Sequence, residues 1–95
     1  MSLNKEQLKA LRRAAQPIKA TVQVGKNGFN QSVAHSLEEA LVANELVKIH
    51  VLQNAPIDVD TAAQEMALHH QAEIVSVLGR MVCLYRKNPE REKRK

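Results

Sequence analysis

Residues 73–86, EIVSVLGRMVCLYR, place two apolar runs on either side of a single Gly-Arg pair, and this spacing leaves the chain little choice. Two extended segments joined by two residues must fold back on each other. Glycine at the first of the two turn positions suits a type II′ hairpin. Whatever else this chain forms, it ends in an antiparallel ribbon.

The upstream sequence supplies the partners. In SLNKEQLKALRRAAQP, Asn4 is placed to cap a helix with Gln7 in the capping-box position, and Leu3 and Leu8 have the spacing of a hydrophobic staple. Leu8 and Leu11 mark an apolar side, Lys5, Lys9, Arg12 and Arg13 fill much of the remainder, and Pro17 stops the helix. Ala20, Val22 and Val24 alternate with polar residues as a short half-buried strand does. After a glycine-bearing loop, Val33, Leu37, Ala40 and Leu41 follow helical spacing, which predicts a helix over residues 31–43 with Asn30 as its cap. ELVKIHVL sets Val47, Ile49 and Val51 on one strand face, with Lys48 and His50 on the other. Asp58 or Asp60 then caps a third helix, roughly residues 61–70, whose Ala62, Ala63, Met66 and Ala67 form a close-packing face.

The order is α-β-α-β-α-β-β. Right-handed crossovers put both connecting helices on one face of a mainly parallel sheet, with the final hairpin adding an antiparallel strand. The expectation is a two-layer α/β sandwich with four strands. Ninety-five residues allow one domain, taken as 1–88, followed by a basic tail over 89–95.

Apolar residues at 44% and charged residues at 25% describe an ordinary folding chain. No run approaches the roughly 18 apolar residues of a membrane helix, and the N-terminus lacks the apolar core of a secretory leader, so neither a membrane partner nor export is expected. A single cysteine, Cys83, excludes an intramolecular disulfide and a multi-cysteine zinc site. A cytoplasmic setting fits.

The net charge of +4 conceals segregation. Between Asn30 and Gly79 the only cation, Lys48, faces seven carboxylates, a local balance of −6. The flanks carry thirteen cations, among them Lys19 and Lys26, against three carboxylates, a balance of +10. If folding gathers the flanks, the protein has one strongly positive side, the footprint of a polyanion partner. A basic tail that merely solubilises the chain is the simpler alternative for residues 91–95.

The loop in VQVGKNGFNQS lies between a strand end and a helix start, where unpaired N–H groups and the positive end of the helix dipole attract phosphate. Gly25 and Gly28 would allow positive φ and close approach of a backbone, and Lys26 adds a cation at the tip. GxxG is the clamp that KH-type RNA-binding modules place on nucleic-acid backbone. It also suits a plain connection. Neither a nucleoside-triphosphate loop nor a dinucleotide loop is present, because GxxxxGK[ST] and the third glycine of GxGxxG are both missing.

Together VGKNGFN, ELVKIHV and VLGRMVCLYRKN resemble the CRM domain (chloroplast RNA splicing and ribosome maturation), in particular its stand-alone bacterial members of the YhbY type, over about Leu3 to Asn88. The resemblance implies an RNA-binding fold similar to the C-terminal domain of translation initiation factor 3, with a four-stranded mixed sheet. It also implies a ribosome-assembly role on precursors of the large subunit. It places the GxxG loop on Gly25, Lys26, Asn27 and Gly28 and the basic helix on Lys5, Lys9, Arg12 and Arg13. Phe29 departs from the smaller aliphatic residue expected there.

The reading that follows is a non-catalytic module on ribosomal RNA or the pre-ribosomal large subunit. Gly25 to Gly28 seat phosphates, Lys5, Lys9, Arg12, Arg13 and Lys19 flank them, and Arg80, Arg86 and Lys87 extend the surface. Phe29 and Tyr85 either stack on bases or pack inside. Aromatics at 2% exclude a platform that stacks several bases, so phosphate, sugar and shape should dominate. His69 and His70 are adjacent on a helix and make a poor metal pair, and His35 and His50 lack a partner at a ligand spacing. Cys83 suits a buried strand position. Glu38 and Glu39 do not converge as catalytic carboxylates do, and read as a solvated face. No enzyme activity, cofactor or small-molecule substrate is expected, and the chain is expected to be monomeric. The rival reading is an adaptor that docks on a ribosomal protein through its acidic helices.

Overall fold

A computed structural model describes residues 3–88, so the basic tail expected over 89–95 lies outside the described residues. The elements are α1 (Lys5–Ala15), β1 (Val22–Val24), α2 (Gln31–Asn44), β2 (Leu46–Val51), α3 (Val59–His70), β3 (Glu73–Leu78) and β4 (Met81–Tyr85), in the order read from the sequence.

The helix starts follow from their caps. Gln7 N–H donates to Asn4 Oδ1 at 2.8 Å, and Asn4 N–H donates to Gln7 Oε1 at 3.0 Å, so both halves of the capping box form. Asn30 Oδ1 accepts from Val33 N–H at 3.0 Å. Asp58 occupies the N-cap of α3, but its side chain makes no cap hydrogen bond, and the helix begins at Val59, ahead of the expected residue 61. At its other end, Ala72 N–H reaches Ala67 O at 2.8 Å and Gln71 N–H reaches Leu68 O at 3.4 Å, the Schellman pattern. Gln71 holds the left-handed position that glycine usually takes, at φ 55°.

The sheet order is β1-β2-β4-β3. β1 pairs β2 in parallel, with Val22 opposite Ile49, while β4 pairs antiparallel with both β2 and β3. Strands β1, β2 and β3 therefore share a direction, yet only one ladder is parallel, which corrects the mainly parallel pairing expected. The reason lies in β4. Val82 and Leu84 are buried on one face and Cys83 on the other, so this strand belongs inside the sheet. Gly79 alone takes positive φ (60°) in the connecting turn, as type II′ requires.

One face of the sheet packs Val22, Val24, Val47, Ile49, Val51, Val82 and Leu84 against Leu37 and Leu41 of α2 and Ala62, Ala63 and Met66 of α3. Each fully buried Leu, Ile or Met contributes roughly 1.5–3 kcal/mol. The small residues of α3 let that helix sit close, as its spacing suggests. On the opposite face, Ala15, Val75 and Cys83 form a smaller cluster with Leu3, Leu11, Leu46 and Tyr85. The α/β sandwich thus has both crossover helices on one side, and α1 adds a partial third layer. Beneath α1, the register of β3 shifts between Ile74 and Ser76, and Arg12 Nε donates to Val75 O at 2.9 Å.

Candidate nucleic-acid interface

Gly25 to Gly28 form a tight turn closed by Gly28 N–H donating to Gly25 O at 2.9 Å. Only Gly28 uses positive φ (70°). It is buried, and a Cβ there would stand 3.3 Å from Pro56 Cγ. Gly25 is different: its φ is not positive, and an added Cβ would meet Leu52 Cδ1 at an ordinary 3.7 Å. The fold therefore requires glycine at 28 and not at 25. Lys26 and Asn27 are exposed at the tip. Among the described residues, their N–H groups and those of Gln31 and Ser32 in the first turn of α2 have no protein acceptor. Four N–H groups, the N-terminal end of a 14-residue helix and a lysine converge on one corner of the molecule.

Leu52 ties this corner to the hairpin. Its N–H donates to Val24 O at 2.8 Å, and its carbonyl lies 3.5 Å from Arg80 Nη1. Val51 N–H donates to Arg80 O at 2.9 Å. Arg80, exposed, is thus beside the loop.

Arg86 and Lys87 are elsewhere. They follow the far end of β4, and with the five residues of that strand between them Arg80 and Arg86 stand about 20 Å apart. Arg86 is also occupied. Its Nη2 donates to Glu38 Oε2 at 2.8 Å, and its Nη1 donates to Glu38 Oε1 at 2.9 Å and to His70 O at 3.1 Å. These bonds from Arg86, followed by the contact with His70, hold the Glu38 carboxyl down from 4.5 to about 2, and the same pairing pushes the Arg86 pKa up. Glu38 is consequently half-buried in an ion pair within the fold, not simply on the solvated face its sequence position suggested, and Arg86 is already paired. Sequence reasoning could not see a pair 48 residues apart.

The cations of α1 occupy the other sheet face. Lys5, Lys9 and Arg13 are exposed at i, i+4 and i+8, one stripe along the helix. The start of α1 shares a hollow with Tyr85 and Lys87, while Arg12 and Gln16 share one with Leu78 and Met81. The stripe therefore runs from the Lys87 end of the sheet towards the hairpin end. Lys48 joins this face, its Nζ 3.5 Å from Gln16 O. Its place in an acidic stretch of sequence hides its company with the α1 cations, although the alternation of ELVKIHVL already put it opposite the core. Lys19 is exposed in the α1–β1 connection.

The two aromatics separate. Tyr85 packs half-buried beneath α1. Phe29 packs against the main core and meets His69 edge to face, with ring centroids 5.4 Å apart at 82°, and His70 at 5.9 Å. His70 is 5% exposed, with Nδ1 3.1 Å from Glu38 Oε1. Cys83 is buried, as expected. No group of three or more His, Cys, Asp or Glu among the described residues is placed to hold a metal ion. No helix among them is long and apolar enough to cross a membrane.

Comparison with known proteins gives a consistent result. The family model described as "CRS1 / YhbY (CRM) domain" matches residues 3–86. The chain is 33% identical over 88 residues to the "Probable RNA-binding protein YqeI" of Bacillus subtilis, covering 93% of this chain and 92% of that one. It is 30% identical over 93 residues to the "Probable RNA-binding protein PA4753" of Pseudomonas aeruginosa, covering 98% and 89%. Among solved structures, the solution structure of the hypothetical protein SAV1595 from Staphylococcus aureus superposes with a TM-score of 0.81 at 33% identity, over 97% of this chain and 96% of that one.

Proposed function

This chain belongs to the CRS1/YhbY (CRM) domain family, and on that premise we propose that it binds RNA, gripping the backbone of ribosomal RNA through Gly25, Lys26, Asn27 and Gly28, and serves in large-subunit assembly. The observation that carries the reading is the corner where unpaired N–H groups, the α2 terminus, Lys26 and Arg80 converge. A phosphate seated there gains several charge-assisted hydrogen bonds at once. The basic stripe of α1 with Lys48 supplies a second, sequence-independent contact. Both relatives named above bear RNA-binding names.

The rival adaptor reading has less support. Glu38 is bound to Arg86, and Glu45 Oε2 accepts from Asn88 N–H at 2.8 Å, so the carboxylates of and beside α2 are partly used within the fold. The test is fluorescence anisotropy with fragments of large-subunit ribosomal RNA across a salt series. Affinity should fall steeply with salt, and Lys26→Ala should weaken binding and reduce the slope of log K against log salt by about 1. Sedimentation from lysate should place the protein with large-subunit precursors. Salt-independent binding that Lys26→Ala leaves unchanged overturns the loop, and co-sedimentation with small-subunit precursors alone overturns the assembly role.

A further inference from the structure

Beside the loop lies a pocket of about 820 Å³, built where the first turn of α2 meets the last turns of α3. Phe29 and Ala34 line it on one side and Leu68 and His69 on the other, with Asn30, Gln31 and Glu65 also at its wall. Leu68 is 83% exposed, a large apolar side chain left open to water on a helix whose other face is core. The pocket also contains Phe29, the one aromatic of this chain not packed beneath α1. Its chemistry is mixed: an aromatic ring, an imidazole and aliphatic carbon below, amides and a carboxylate around.

We propose that this pocket seats one unpaired nucleobase of the RNA whose backbone phosphate rests on the Gly25–Gly28 turn, an inference that rests on the function proposed above. Three observations select that occupant. Phe29 and Asn30 directly follow Gly28, so a strand held at the turn delivers its next base to this opening. Among the described residues no Lys or Arg lines the pocket and Glu65 does, so a second phosphate is repelled while a neutral base is not. A base also matches the lining, since its face packs on Leu68 and the His69 ring and its edge carries donors and acceptors for Glu65 and the Asn30 and Gln31 side chains.

The test compares two RNA probes by anisotropy: an unstructured strand of about ten nucleotides and a blunt-ended two-strand stem with no unpaired bases. His69 and Leu68 are exposed, so the double variant His69→Ala with Leu68→Ala should stay folded, its melting temperature lowered by only a few degrees through loss of the Phe29–His69 edge contact, as checked by circular dichroism. It should bind the single strand about tenfold more weakly, with an unchanged salt slope because no phosphate contact is lost, and bind the stem as wild type does. Lys26→Ala should weaken both probes. Equal single-strand affinity for wild type and the double variant overturns the base pocket, and so does an equal loss on strand and stem. Failure of either RNA to bind the wild-type protein at low salt strikes the proposed function itself. Loss of a protein partner by the double variant with RNA affinity intact would assign the pocket to protein docking instead.

Discussion

Gly25 and Gly28 look equivalent in the sequence, and the structure says they are not, which gives a pair of substitutions with opposite outcomes. Gly28→Ala forces a Cβ into the left-handed region at φ 70°, a conformation costing about 1–2 kcal/mol for an L residue, and brings it to 3.3 Å from Pro56 Cγ, so the proline must give by a few tenths of an ångström. A stiffer unfolded chain offsets roughly 0.4–1 kcal/mol. The net expectation is a loss of about 1 kcal/mol, or about 4–8 °C in melting temperature for a domain of this size. Gly25→Ala meets neither penalty: φ is not positive, and the methyl falls 3.7 Å from Leu52 Cδ1. Its melting temperature should be unchanged or higher by a few degrees. On the proposed function its RNA affinity should nonetheless drop about tenfold, because a methyl on the turn that seats the phosphate costs close approach to the backbone N–H groups, and one charge-assisted hydrogen bond is worth about 1.5–3 kcal/mol. Thermal unfolding by circular dichroism and anisotropy with a ribosomal RNA fragment read the two effects separately. Wild-type affinity in Gly25→Ala would refute the claim that position 25 is glycine for access, and wild-type stability in Gly28→Ala would refute the conformational argument.

Acid stability should depend on Glu38. Its carboxyl is depressed in the folded state, so its stabilising contribution is complete above the unfolded value near 4.5 and is lost as pH falls towards about 2. Because the Glu38 side chain is 47% exposed, solvent screening reduces that contribution to about 1 kcal/mol. Glu38→Gln should lower the melting temperature at pH 7 by several degrees and flatten its dependence on pH between about 4.5 and 2, as followed by calorimetry. Arg86→Ala should destabilise similarly while leaving RNA affinity within about twofold of wild type at pH 7, since a residue bound to Glu38 is not offered to phosphate; a loss comparable to that of Lys26→Ala would return Arg86 to the interface. Gln71→Gly, which removes a left-handed non-glycine residue at the end of α3, should raise stability by about 1 kcal/mol in urea titrations without affecting binding.

What was legible in the sequence was local. The Asn4–Gln7 box, the Asn30 cap, the alternation of Val47, Ile49 and Val51, and the Gly-Arg turn each depend on neighbours a few residues away, and each is where its spacing puts it. The arrangement of these elements was harder to read, because crossover rules speak only of helices that join parallel strands. They place α2 and α3 on one face and are silent on α1, which found the other. They also do not say which hairpin strand lies inward. The burial of β4 on both faces decides that, and Met81 to Tyr85 are apolar throughout, so the signal was present without being directional. The charge map failed where contacts span the chain. Arg86 counted with the basic flank and Glu38 with the acidic middle, yet they meet, while Lys48 counted as acidic territory and stands with the cations of α1.

The shift in β3 and the Arg12 bond to Val75 O have a consequence for solubility. Among the described residues the sheet ends in two borders, β1 and β3, and exposed backbone along such a border is a template on which a second chain can add a strand. β1 offers only three residues. β3 is longer and carries Leu78, 80% exposed, but its ladder is broken at Ile74–Ser76 and one of its carbonyls is already taken by a guanidinium from α1. Arg12, expected from the sequence among the cations facing RNA, thus caps part of an exposed sheet edge. Replacing it would expose the sheet to self-association as well as remove a charge.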